Sequence, residues 1–125
     1  MVKVSYDREH NTVIIEFEGN IDASQAEKVF PDLEKILPKH GKGFKLLADF
    51  SSVQTMELKV KASIEKAMEI FNAQGVTEII RVIPDPALDI GLKIMSRSHY
   101  SRNVKVLTLR SREEAQARLR NEKTN

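Results

Sequence analysis

Two aspartates stand where acid–base chemistry could be done. Asp49 follows the apolar run Leu46, Leu47, Ala48, and Asp85 follows Ile79, Ile80, Val82 and Ile83. Each falls at the carboxyl end of an expected strand, where open α/β sheets tend to gather ligands. Two carboxylates can divide acid and base roles once their surroundings separate their pKa values. To act together they would have to converge within about 10 Å in an open cleft. Both have structural alternatives. Asp85 with Pro86 reads as a helix cap and first-turn proline. Asp49 simply ends a strand.

The other chemistry-bearing residues are more scattered. His10, His40 and His99 lack the HExxH spacing of a metallopeptidase, and a zinc site needs three or four convergent ligands. We therefore expect no metal. The chain has no GxGxxG, GxxxxGK[ST] or GxSxG, so a phosphate cradle and a nucleophile elbow are unsupported, and no cofactor is expected. Ser51, Ser52, Thr55 and Ser63 surround the middle of the chain. A phosphate near a helix start would be stabilised by free N–H groups, but capping explains Ser51, Ser52 and Thr55 as well. Arg97, His99 and Arg102, with Lys93 and Tyr100, form a basic cluster that could hold an anion. Positive charge at the end of a helix is also favourable by itself.

Composition narrows the classes. A chain of 125 residues suits one domain. With no cysteine, disulfides and thiolate chemistry are excluded. A net charge of +2, from 20 basic and 18 acidic residues, is too balanced to imply nucleic acid as a partner. No apolar run reaches the ~20 residues that span a bilayer, so no integral membrane segment is expected. The first residues lack the apolar middle of a secretory signal, which points to the cytoplasm. Homodimerisation is compatible with the sequence, but nothing in it locates an interface.

The elements that must position these residues follow from periodicity. Val2, Val4 and Tyr6 alternate with polar residues as a half-buried strand. Val13, Ile14 and Ile15 make a second strand, close enough for an antiparallel hairpin. Gly19 and Asn20 are expected to break it. Asp22 and Gln25 form a capping box for a helix that Pro31 must kink or divide. The stretch Phe44–Gly75 then reads as strand, polar turn over Ser51 to Thr55, and amphipathic helix. The helix stripe is Met56, Val60, Ile64, Ala67, Met68 and Phe71, with Gly75 as its left-handed cap. A further strand over 78–83, a third helix after Asp85, a strand over 103–109 and a helix capped by Ser111 and Glu114 complete the order. That order predicts a single-domain α/β fold, with an N-terminal antiparallel hairpin, an otherwise mostly parallel sheet and helices covering it. We assign residues 1–120 to the domain and 121–125 to a polar tail.

Four stretches now carry a resemblance: FEGNIDASQAEKV, LLADFSSVQTMELKVKASIE, FNAQGVTEIIRV and VKVLTLRSREEAQARL. They resemble the STAS domain of anti-sigma factor antagonists, and more closely the small STAS-like bacterial proteins grouped as SpoIIAA-like. The resemblance implies a one-domain α/β fold. In the best-known members it implies a regulator that docks on a kinase-like anti-sigma factor. Phosphorylation of a serine at the start of the central helix switches that docking off. Carried over by position, Asp49 matches the aspartate after the central strand, and Val53 and Met56 match apolar positions of the next loop. Glu57 stands where the family usually has aspartate. The serine position is Leu58, and a glycine two residues later is Val60. A leucine cannot accept phosphate, so the resemblance implies docking without this switch.

Three functions follow as expectations. The first is a noncatalytic regulatory module that binds a protein partner through Asn20, Ser52, Thr55, Glu57 and Leu58. The second is a carrier of a small apolar ligand or lipid, with a pocket near Met56, Ile90, Leu92 and Met95. The third is a small enzyme using Asp49 and Asp85.

Overall fold

The computed structural model describes residues 1–85, 97 and 99–124. Strand β1 (Val2–Asp7) turns back into β2 (Thr12–Ile21) as an antiparallel hairpin, with Val4 opposite Ile15. Asn11 closes the turn at φ 49°, a left-handed conformation that asparagine tolerates better than most residues. Its side chain accepts from the Tyr6 hydroxyl at 2.6 Å and donates to the Gly43 carbonyl at 3.0 Å.

Gly19 and Asn20 do not end β2. The strand continues to Ile21 through register shifts beside Glu16 and Gly19, so a bulge stands where a break is expected. The capping box forms as predicted. The Gln25 N–H donates to Asp22 Oδ1 at 2.8 Å, and the Asp22 N–H donates to Gln25 Oε1 at 3.1 Å. Helix α1 (Ala23–Glu27) stops at Lys28, and α2 (Val29–Ile36) begins at once. Pro31 lies in the first turn of α2, where an N–H has no intrahelical partner to lose.

Strand β3 (Phe44–Met56) corrects the expected polar turn. Ser51 to Thr55 are strand, and helix α3 (Val60–Ala73) starts four residues later than the apolar pattern suggests. The reason is the overhang. Pairing of β3 with β4 (Val76–Val82) ends at Asp49 and Val82, whereas pairing with β2 runs on to Met56 opposite Ile21. The second half of β3 belongs to a two-stranded ribbon, so much of it meets water. Met56 is consequently a strand residue, while Val60, Ile64, Ala67, Met68 and Phe71 turn inward from α3.

Gly75 takes φ +94° just after α3, as its position predicts. Gly43 takes φ +82°, and a Cβ there would lie 2.8 Å from the Thr77 methyl and 3.0 Å from the Gly75 carbonyl. The starts of β3 and β4 thus approach too closely for a side chain at 43. Strand β5 (Lys105–Leu109) and helix α4 (Arg112–Thr124) finish the chain. Residues 121–124 continue α4. The expected third helix, over Pro86 to Met95, lies outside the described residues.

The five strands pair in the order β1-β2-β3-β4-β5, with β1 antiparallel and the rest parallel. Alternation along the strands separates two cores. On one face Val13, Ile15, Phe17, Leu46, Phe50 and Ile79 meet α1, α2 and α3. There Phe17 and Phe50 stack at 4.5 Å, and Phe44 meets Phe71 edge-on at 6.3 Å. On the other face Ile14, Leu47, Ile80 and Val82 pack under Ala115 and Leu119 of α4. The chain is an α/β fold with helices on both faces of a mixed sheet.

Candidate functional site

The carboxyl ends of the parallel strands form one rim. The ribbon of β2 and β3 projects there, and its end is closely tied. The Thr55 hydroxyl donates to Asn20 Oδ1 at 2.7 Å, and the Glu57 N–H donates to the Ile21 carbonyl at 3.0 Å. Glu57 Oε1 accepts from the Ala23 N–H at 3.2 Å, so its carboxylate joins the start of α1 to the turn before α3. The Glu57 and Leu58 carbonyls in turn accept from the Val60 and Lys61 N–H groups, leading the chain into α3. Leu58 sits on this braced turn with its side chain 88 % exposed. Among the described residues only Met1 is another exposed large hydrophobic, at 49 %. Asn20, Thr55, Glu57 and Leu58 therefore come together. Ser52 lies farther back on the ribbon, exposed and opposite Glu18.

The two aspartates have different surroundings. Asp49 is buried on the α4 face. Its Oδ1 accepts from the Ser51 hydroxyl at 2.6 Å and the Ser51 N–H at 2.9 Å, and its Oδ2 from Arg112 Nη1 at 3.0 Å. The same Arg112 nitrogen donates to Glu16 Oε2 at 3.1 Å. Both Asp49 oxygens are thus engaged, Oδ1 by Ser51 of its own strand and Oδ2 by the Arg112 contact that ties β2, β3 and α4 together. Asp85 is exposed and helps line a groove of about 290 Å³ with Phe50, Ser51, Val53 and Met56. Arg110 Nη1 donates to the Pro84 carbonyl beside it at 3.3 Å.

The expected apolar pocket falls largely outside the described residues. Met56 borders the rim groove, while Ile90, Leu92 and Met95 lie outside the described residues. A cavity of about 70 Å³ sits beneath α3, walled chiefly by Ile15, Phe17, Ala48, Ala67, Met68 and Phe71. Periodicity assigns these residues to a core. It cannot reveal that their packing leaves a hole.

The basic cluster divides. His99 turns to α3, with Nδ1 3.2 Å from Glu69 and Nε2 3.9 Å from Glu65. The Ser101 N–H donates to Asn72 Oδ1 at 2.9 Å, and the two contacts strap this segment across α3. Arg97 and Arg102 line an open cleft of about 540 Å³ together with Arg81, a buried residue of β4 that sequence reasoning missed. Burial pushes the Tyr100 hydroxyl well above its usual range, against the opposing pull of the Arg81 charge.

The remaining histidines belong to the opposite end of the sheet. His10 Nδ1 lies 2.7 Å from Asp7 Oδ2, and His40 Nε2 lies 3.3 Å from Asn11 Oδ1. Partial burial raises the Asp7 carboxyl, but the His10 contacts and charge, with the Glu9 N–H, outweigh it and hold it below its usual value. Among the described residues Asp7, Glu9 and His10 bring ligand atoms within 4.8 Å of one another. The 2.7 Å contact between His10 and Asp7 accounts for most of that convergence.

Comparison with known proteins agrees with this architecture. A family model described as SpoIIAA-like matches residues 12–120. The anti-sigma factor antagonist SpoIIAA in its unphosphorylated form is similar in structure, with TM-score 0.65 and 15 % identity over 96 % of this chain and 98 % of that one. The Bacillus cell fate determinant SpoIIAA in the phosphorylated form gives TM-score 0.63 and 14 % identity, over 95 % and 99 % of the two chains. An uncharacterized protein with a SpoIIAA-like fold from Shewanella loihica gives 0.69 and 11 %, over 95 % and 92 %. No curated protein matches by sequence. With that model spanning most of its length, the chain belongs to the SpoIIAA-like family.

Proposed function

We propose that this chain is a noncatalytic regulatory module that docks a protein partner through the rim formed by Asn20, Ser52, Thr55, Glu57 and Leu58. The observation that carries the reading is Leu58: a leucine 88 % exposed on a turn fixed by backbone and side-chain hydrogen bonds. A backbone so braced loses little entropy on docking, and burying the leucine side chain contributes roughly 1.5–3 kcal/mol. Family membership supports the same role, since two similar structures are of an anti-sigma factor antagonist and cell fate determinant. The engagement of both Asp49 oxygens supports the noncatalytic part.

The proposed docking works without the serine switch. Leu58 has no hydroxyl, the Thr55 hydroxyl is given to Asn20, and Ser63 is half-buried on α3. The test is affinity capture with the wild-type chain and a Leu58→Asp variant of unchanged melting temperature. A partner held by the wild type should be weakened at least about tenfold by the variant, the equivalent of ~1.4 kcal/mol. Undiminished capture would remove this surface from the account. A second reading, transport of a small apolar ligand, is favoured by the cavity beneath α3.

A further inference from the structure

Arg81 and Tyr100 belong to two spaces at once. On one side they help wall the apolar cavity of about 70 Å³ beneath α3. On the other they help wall the open cleft of about 540 Å³ beside β5, where Arg97, Arg102, Val104 and Thr108 also contribute. The sequence treats an apolar pocket and an anion site as separate features in separate places. The fold sets them back to back, with one arginine and one phenol as the partition.

The chemistry of the two sides is complementary. Guanidinium groups present planar pairs of donors that suit carboxylates. Arg81 is 4 % exposed, and its Nη2 donates to Thr108 Oγ1 at 3.3 Å. The Tyr100 phenol is protonated at neutral pH, as tyrosines are, so its hydroxyl can donate as well. Val104 and Val106 add an apolar flank to the cleft. Behind the partition, a mostly apolar cavity about half the size of the roughly 150 Å³ hole that accepts benzene has room for the last two or three carbons of a chain.

We propose that these two spaces form one binding site for a short aliphatic carboxylate. The carboxylate lies in the cleft against Arg102 and the Arg81–Tyr100 wall. The chain runs past Tyr100, and its end enters the cavity between Ala67, Met68 and Phe71. This deepens the carrier reading by naming a ligand class, and it is independent of the Leu58 rim.

Calorimetric and NMR titration of the full chain with hexanoate, hexanol and acetate tests it. Hexanoate should bind saturably at one site and shift Tyr100, Met68 and Phe71 resonances. Hexanol and acetate should each bind at least tenfold more weakly, one lacking the charge and the other the chain. Arg102→Gln, a change at an exposed residue, should weaken hexanoate at least fivefold and leave hexanol unchanged. Ala67→Leu, which fills the cavity, should reduce hexanoate to the level of acetate. Equal binding of hexanol and hexanoate would overturn the anion component while leaving an apolar carrier standing. Absence of binding by both would overturn the carrier reading with it. Should Ala67→Leu fail to fold, hexanoate affinity unchanged in Arg102→Gln is enough to refute the proposal.

Discussion

Leu58 and Asp49, two site candidates read from sequence, have very different surroundings. Leu58 is an apolar residue flanked by Glu57 and Lys59, at the position that the family resemblance assigns to a phosphorylated serine. Those neighbours alone make it stand out in the sequence. Its exposure is then a matter of local geometry: Glu57 anchors the turn, and Leu58 points away from the core that Val60 enters. The role of Asp49 depends on Arg112, sixty-three positions later in the chain. Nothing local could reveal that pairing, so the aspartate resembled a free acid–base group. Asp7 is a similar case with a measurable pH signature. Against the opposing effect of partial burial, His10 holds its carboxyl below the usual 3.8, so the folded state favours the ionised form. The stability it contributes is present above that value and is lost as pH falls through the lower, folded-state pKa. Urea unfolding between pH 6 and 2 should therefore show a smaller acid-induced loss in Asp7→Asn than in wild type. Parallel curves would mean that His10 does not favour the ionised Asp7.

At the scale of elements, periodicity located the described strands and helices but misplaced the join between β3 and α3. Ser51, Ser52, Gln54 and Thr55 carry the composition of a turn. They form strand because β2, carried past its bulge, supplies hydrogen-bonding partners on one side while water reaches the other. A single sequence contains no sign of that distant pairing. Pro31 was legible because its constraint is local: it had to kink or divide the helix, and it lies in the first turn of α2, just after the break at Lys28. Gly43 lies between these cases. Its turn-like context is visible, but the nearby Thr77 methyl is not. Gly43→Ala must meet both a left-handed φ and a 2.8 Å contact, so it should lose about 2 kcal/mol or more in chemical denaturation. Thr77→Ser removes the contacting methyl and should recover part of that loss when combined with it. A combined loss equal to the sum of the single changes would show that backbone conformation alone is responsible.

For the whole molecule, the strand order determines which functions can coexist. Four parallel strands bring their carboxyl ends to one rim, where the β2–β3 ribbon carries Leu58 beyond the sheet. The cavity lies beneath α3, on the sheet face that α3 covers, and shares Arg81 and Tyr100 with the cleft beside β5, whereas Leu58 lines neither. A protein on the rim and a small ligand under α3 would therefore not compete for residues. Fold class was legible because the alternation of strands and helices repeats along the chain. The cavity and its Arg81–Tyr100 partition were not, because both depend on how side chains from distant elements fill space.

The central claim is that a partner lies on Leu58. A photo-crosslinking amino acid at position 58, compared with one at the exposed Lys39 before β3, tests it in the cells that make the protein. A discrete crosslinked species should form from position 58 and none from position 39. No adduct at 58, or the same adducts from both positions, would contradict it.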